Sequence, residues 1–184
     1  VVKTKIERFR ETQRSTRLDG LTGLFNHTAA KSRLKSMVSR LEPGAQLTVA
    51  MLDIDHFKSI NDTYGHPVGD QVIRGLAWLL KGRLRATDLI GRYGGEEFIL
   101  ALPDVNANQA YAVIDRIRQD FAKLPHAHPC GALFATFSAG VASFPVFETA
   151  QQLTEAADNA LLDAKRSGRN RVEMSLAESC RTLF

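Results

Sequence analysis

Arg92 to Phe98 reads RYGGEEF: two glycines, then the adjacent carboxylates Glu96 and Glu97, set between the apolar runs DLIGRY and FILAL. Neighbours on a strand point to opposite faces, but at a turn both can reach the open end. Alone, such a pair is a solvated acidic turn. A second acidic pair changes that reading. Asp53 and Asp55 end the run QLTVAMLDID, and a buried strand should carry no acid unless something compensates it. If that strand lies beside the hairpin, Asp53 and Glu96 converge. Two carboxylates about 4 Å apart repel by roughly 4 kcal/mol at an effective dielectric near 20, so the cluster calls for a cation or a raised pKa. The donors are all oxygens, without His or Cys at metal spacing. That set suits Mg2+ or Mn2+ rather than zinc. Mg2+ held by one or two carboxylates usually shares its sphere with substrate phosphates.

Basic and polar groups for such a substrate are present. Lys58 follows Asp55 by three residues, and Lys165, Arg166, Arg169 and Arg171 cluster in AKRSGRNR. Basic residues at a helix C-terminus also complement the helix dipole, which is their ordinary reading. In INDTYGHPVGD, the polar groups Asn61, His66 and Asp70 lie on a tight turn entering a helix. Asp can accept from the N1–H and amine of guanine, and Asn supplies both donor and acceptor. Either residue alone is accounted for by an Asx-turn or a helix cap. Beside a metal cluster, a nucleoside triphosphate site is the better account.

The elements that must position these groups follow from pattern. Val2, Ile6, Phe9, Gln13 and Thr16 give residues 1–17 a short helical seam, either a linker helix or the end of a coiled coil. After the turn-rich DGLTGLFN, Asn26 or Thr28 caps a helix to about Leu41, stopped by EPG. QLTVAMLDID is a buried strand, and FKSINDTYG a short helix. Pro67 stands where the helix over VGDQVIRGLAWLLKGRL begins. A hairpin turns at Gly94–Gly95. NANQAYAVIDRIRQDFAKL is an amphipathic helix, LFATFSAGVASF a single strand, TAQQLTEAADNALLDAKRSG a helix closed by Gly168, and RVEM a last strand. This order predicts an α+β sandwich, helices packed on a mainly antiparallel sheet. Residues 175–184 form a tail without a clear element.

Composition bounds the rest. The 184 residues suffice for one domain with a real core, and 44% apolar with 24% charged is ordinary for a globular chain. The net charge of +4 lies wholly in residues 1–17, which hold six basic and two acidic residues. A basic nucleic-acid groove on the main domain is therefore not supported. Cys130 and Cys180 form neither a disulfide framework nor a zinc motif, which fits a reducing compartment. No run reaches the length of a membrane span, and no signal peptide is visible. The expected location is cytoplasmic, without membrane contact by this segment.

DGLTGLFN, DIDHFKSINDTYGHPVGD, RYGGEEF and AKRSGRNRV, in this order and spacing, resemble the signatures of the GGDEF domain, the bacterial diguanylate cyclases, over residues 18–174. The resemblance implies a ferredoxin-like palm akin to nucleotidyl cyclases and polymerases. It implies condensation of two GTP into cyclic di-GMP with release of pyrophosphate. Asp53, Glu96 and the backbone carbonyl of Ile54 would hold Mg2+ or Mn2+, with Glu97 assisting. Glu96 is the candidate for helping to deprotonate the 3′-hydroxyl. Lys58, Lys165 and Arg169 would contact phosphates. Asn61 and Asp70 would bind guanine, with His66 at the same turn, and Gly94 and Gly95 would permit a tight turn and close approach of the ligand. One site holds one GTP, so catalysis requires an antiparallel homodimer, and an upstream sensory or regulatory domain is implied. Arg85 and Asp88 form R-x-x-D, with five residues between Asp88 and Gly94; they match the family's product-inhibition site, with Arg116 as a partner. Glu96 stands where many relatives have Asp, and His27 where Arg is usual. The rival reading is a catalytically silent module that binds GTP or cyclic di-GMP. The intact set Asp53, Glu96, Lys58 and Lys165 argues against it.

Overall fold

The run LTVAMLDI forms strand β1 (Leu47–Ile54), buried at every position. Both its faces are covered, and it has a paired neighbour on each side, β3 and β6. In the computed structural model, which describes residues 17–175, a five-stranded sheet has the order β2-β3-β1-β6-β7. The other strands are β2 (Leu89–Arg92), β3 (Glu97–Pro103), β6 (Phe137–Phe144) and β7 (Val172–Met174). Every neighbouring pair is antiparallel except β6 with β7. The helices are α1 (His27–Val38), α2 (Phe57–Tyr64), α3 (His66–Arg83), α4 (Ala107–Ala122) and α5 (Ala150–Arg166).

Alternation along β1 separates two cores. Leu47, Val49 and Met51 pack with Ala30 and Leu34 of α1 and with Leu153, Ala157 and Leu161 of α5. Ala50, Leu52 and Ile54 face the other way, toward Val72, Leu76 and Leu80 of α3 and Ile114, Ile117 and Phe121 of α4. The result is an α+β sandwich with helices on both faces of the sheet. Gly140 of β6 lets α5 lie close: a β-carbon there would collide with the backbone of Ala157 and Leu161.

Local caps set the element ends. Asn26 accepts a hydrogen bond from the Ala29 N–H and starts α1. Asn106 with Gln109, and Thr149 with Gln152, form reciprocal capping boxes at α4 and α5. Two expectations are corrected. α1 ends at Val38, short of Leu41, which closes a following turn. The run LFATFSAGVASF is not one strand. Gly131–Leu133 forms β5, paired in a small separate hairpin with β4 (His126–His128). β6 starts only at Phe137, after the Thr136 carbonyl has accepted from the Asp55 N–H. The expected N-terminal helical seam falls on residues outside those described, as does the tail beyond residue 175.

Candidate functional site

β1, β3, β6 and α5 come together at one end of the sheet. β1 delivers Asp53 and Ile54, and Asp53 stands opposite Glu97 of β3 on one side and Ser138 of β6 on the other. The Ile54 N–H donates to the Glu96 carbonyl at 3.3 Å, which ties the end of β1 to the turn. The last turn of α5 brings Lys165, whose Nζ lies 2.9 Å from Asp53 Oδ2. Asp53 is 8% exposed. Burial pushes its carboxyl up to about 6; Lys165 pulls the other way, and the charges of Glu96 and Glu97 add to the rise. The convergence expected of Asp53 and Glu96 is thus present, with Glu97 as a third member.

That charge balance decides what the residues fit. Three acids and one lysine leave a buried carboxylate under-compensated, all donors are oxygen, and the turn beside them is open. Such a set fits a hard divalent cation. Among the described residues no group of three or more His, Cys, Asp or Glu is placed to hold a metal ion by itself.

The hairpin turn is held from behind. Arg92 ends β2, and its Nε and Nη2 donate to the Gly95 carbonyl at 3.0 and 2.8 Å. Its Nη1 donates to both oxygens of Asp19, at 3.2 and 3.1 Å. The backbone N–H and the hydroxyl of Thr22 also donate to Asp19, at 2.9 and 2.7 Å. Burial works against ionised Asp19, but Thr22 and Arg92 hold its carboxyl below the usual range. The DGLTG turn is therefore a brace for the GGEEF turn. Neither Asp19 nor Arg92 was singled out from sequence. Their signal, an acid and an arginine each inside a motif, becomes specific only when the fold brings together positions 73 apart in sequence.

The two glycines serve different ends. A β-carbon on Gly94 would strike the Glu97 carboxylate, whereas one on Gly95 would meet nothing. Neither residue has positive φ. Protein packing accounts for Gly94 but not for Gly95. Tyr93, between them and Arg92, meets the ring of His27 edge-on at 4.5 Å. Burial raises its phenol, with Asp158 and Glu97 adding to the effect. His27 thus packs against the back of the hairpin.

The remaining candidates lie around this edge. Lys58 is exposed on α2, and Asn61 sits one turn further on. Asn61 Oδ1 is buried without a hydrogen-bond partner among the described residues, pressed against Gly69 of α3, where a β-carbon would collide with it. His66, exposed, is the first residue of α3, and Asp70 is half-buried one turn later. Arg169 is exposed with φ of 63°. Asp55 does not join the carboxylate cluster: it accepts from Thr136, Ser138 and the Asn170 N–H.

R-x-x-D occupies the loop between α3 and β2. Asp88 Oδ2 accepts from the Arg85 N–H at 2.6 Å, while its Oδ1 is buried without a partner among the described residues. Arg85 and Asp88 line a shallow recess of about 410 Å3, walled by Leu18, Gly23 and Phe25 of the N-terminal turn. Lys81, also on its wall, donates to the Thr22 carbonyl at 2.8 Å. Arg116 is exposed on α4 and does not line this recess.

Known proteins resemble the chain over nearly all of this architecture. The family described as "Diguanylate cyclase, GGDEF domain" matches residues 16–171. Diguanylate cyclase DgcP of Pseudomonas aeruginosa is 42% identical over 167 residues, 90% of this chain and 25% of that protein. The solved coiled coil and GGDEF domain of DgcB from Caulobacter crescentus, in complex with c-di-GMP, superposes with a TM-score of 0.85 at 34% identity, covering 92% of this chain and 93% of that one. The active GGEEF domain of a Vibrio cholerae diguanylate cyclase gives a TM-score of 0.77 at 32% identity, covering 82% and 97%. The chain spans between 25% and 41% of the length of the first curated relatives it matches. No helix among the described residues is long and apolar enough to cross a membrane.

Proposed function

The chain belongs to the GGDEF family, and from that membership we propose that it is a diguanylate cyclase, joining two GTP into cyclic di-GMP with release of pyrophosphate from each. The observation that carries the reading is the under-compensated carboxylate Asp53, held among Glu96, Glu97 and Lys165 at the open end of the sheet. Asp53, Glu96 and the Ile54 carbonyl would hold Mg2+ or Mn2+. When bound, such a cation neutralises phosphate charge and polarises the attacking and leaving oxygens.

The chain's own residues do the rest. Lys165, already at the Asp53 carboxylate, and Lys58 and Arg169 on the flanking helix and loop take phosphate charge. Gly95, whose missing side chain faces open space, leaves room for the triphosphate beside the turn. The unpartnered Asn61 Oδ1 and the Asp70 carboxylate accept from the donor edge of guanine, with His66 at the same turn. Glu96, with Glu97 beside it, accepts the proton of the 3′-hydroxyl as its oxygen attacks the α-phosphorus in line with the departing pyrophosphate. Alignment and charge stabilisation supply most of the effect in such a displacement. Each chain orients one GTP, so two chains facing each other antiparallel complete the reaction. Product binding at Arg85 and Asp88 lowers turnover; the free Asp88 Oδ1 and the open recess beside it support that assignment.

Incubation with GTP and Mg2+, followed by chromatography for cyclic di-GMP and pyrophosphate, tests the reading. Product is expected from the wild type and not from Glu96→Ala. Wild-type binding of GTP without product would instead favour a silent receptor, and full activity in Glu96→Ala would sink the assignment of the metal site.

A further inference from the structure

Asp55 follows Asp53 by two residues in the same acidic run. Its surroundings assign it other work. It is 3% exposed. Oδ1 accepts from the Ser138 hydroxyl at 2.7 Å; Oδ2 accepts from the Thr136 hydroxyl at 2.7 Å and from the Asn170 N–H at 3.0 Å. Every partner is a donor, so the protein itself already supplies what a cation would.

The third of these bonds reaches a loop with an unusual backbone. Gly168, Arg169 and Asn170 follow α5 with φ of 111°, 63° and 46°. Asn visits the left-handed region more readily than other residues with a β-carbon, but Arg169 enters it only when its surroundings hold it there. Three further contacts brace the loop: the Arg169 N–H donates to the Ala164 carbonyl, the Arg171 carbonyl accepts from the Ala139 N–H, and Arg118 of α4 donates to Asn170 Oδ1 at 2.6 Å. Asp55 lies one residue past the carboxylate-bearing end of β1, and its bond to the Asn170 N–H is a side-chain link from that end to the basic loop.

We propose that Asp55 is a positioning residue for the triphosphate and not a metal ligand: by holding the Asn170 N–H it fixes Arg169 and the exit of α5, with Lys165, relative to Asp53 and Glu96. The inference rests on the nucleotide site proposed above. It separates two acids that a single sequence pattern makes equivalent.

The test measures binding of guanosine 5′-[α,β-methylene]triphosphate with Mg2+ to the full chain by calorimetry, with circular dichroism as the check on folding. Asp55→Ala is expected to weaken binding about tenfold or more, since it removes the acceptor that holds the Asn170 N–H. Asp55→Asn keeps an amide oxygen for Asn170, and is expected to stay within about threefold with an unchanged Mg2+ requirement. Thr136→Val removes a strand-side bond only, and is expected to stay within about twofold. Asp55→Ser, too short for Asn170 but still polar, replaces Asp55→Ala should the latter not fold. Wild-type affinity in folded Asp55→Ala or Asp55→Ser overturns the inference. So does a raised Mg2+ requirement in Asp55→Asn, a loss in Thr136→Val equal to that in Asp55→Ala, or failure of both Asp55→Ala and Asp55→Ser to fold. No binding by the wild type overturns the nucleotide site itself.

Discussion

Asp53→Asn should make the protein more stable while abolishing its activity. The folded chain raises the Asp53 carboxyl from 3.8 to about 6, chiefly by burial, against the pull of Lys165. Between those two values the folded state holds a proton that the unfolded state has released. Stability from this group therefore falls as pH rises through that window and stays low above it. At 1.36 kcal/mol per unit, ionised Asp53 costs about 1 kcal/mol at pH 4.5 and about 3 kcal/mol at pH 7.5. Its side chain keeps 11% of its exposure, so water screens part of this, and about 1.5–3 kcal/mol at pH 7.5 is the working range. Asparagine is a near-isostere of the protonated acid and removes the cost.

Urea unfolding in EDTA, wild type against Asp53→Asn, at pH 4.5 and pH 7.5, measures the effect. The variant should gain most at pH 7.5 and little at pH 4.5. Added Mg2+ should raise the stability of the wild type and leave the variant unmoved, because only the wild type has a charge for the cation to relieve. A variant less stable than wild type at pH 7.5, or one with the same gain at both pH values, refutes the reasoning: Asp53 would then be satisfied by Lys165, and the site would not call for a cation.

Three further outcomes test the frame around that carboxylate. Gly95→Ala should change unfolding free energy by no more than about 0.5 kcal/mol, since the new methyl meets nothing in the protein; a loss of GTP binding in calorimetry despite that stability would place the ligand there, and unchanged binding would leave this glycine unexplained. Arg92→Ala frees the Gly95 carbonyl and leaves Asp19 without its cation. With charge-assisted bonds worth about 1.5–3 kcal/mol, the rate of cyclic di-GMP formation should fall about 10- to 100-fold while the melting curve stays cooperative; a wild-type rate would remove the brace from the argument. Arg85→Ala should keep the initial rate but lose inhibition by added cyclic di-GMP, and a progress curve that slows as in wild type would count against the recess.

The sequence announced the sheet and its helices because their patterns are local. β1 is an unbroken apolar run, and the capping residues Asn26 and Thr149 stand where the helices begin. The β4–β5 hairpin was not legible: three-residue strands are too short to show alternation, and the apolar residues beyond them merge by eye with β6. The Asp19–Arg92 brace was hidden for another reason. Each residue is unremarkable alone, and the pairing exists only after β2 has joined the sheet and the N-terminal turn has docked against it through Phe25.

Asp53 and Asp55 mark the limit of the pattern most clearly. Period-two alternation puts both on the face toward α5, and composition treats them alike. What separates them is the neighbour each acquires across the sheet. Asp53 stands opposite Glu97 and receives one lysine for company with two acids. Asp55 lies one step past the end of β1, where Thr136 just before β6 and Ser138 within it offer their hydroxyls and the loop after α5 offers the Asn170 N–H. Ser138 is in register with Asp53, yet its hydroxyl donates to Asp55. The protein thus spends its buried donors on one acid and leaves the other under-compensated. The proposed cation site would be defined as much by where the donors are withheld as by where the carboxylates gather.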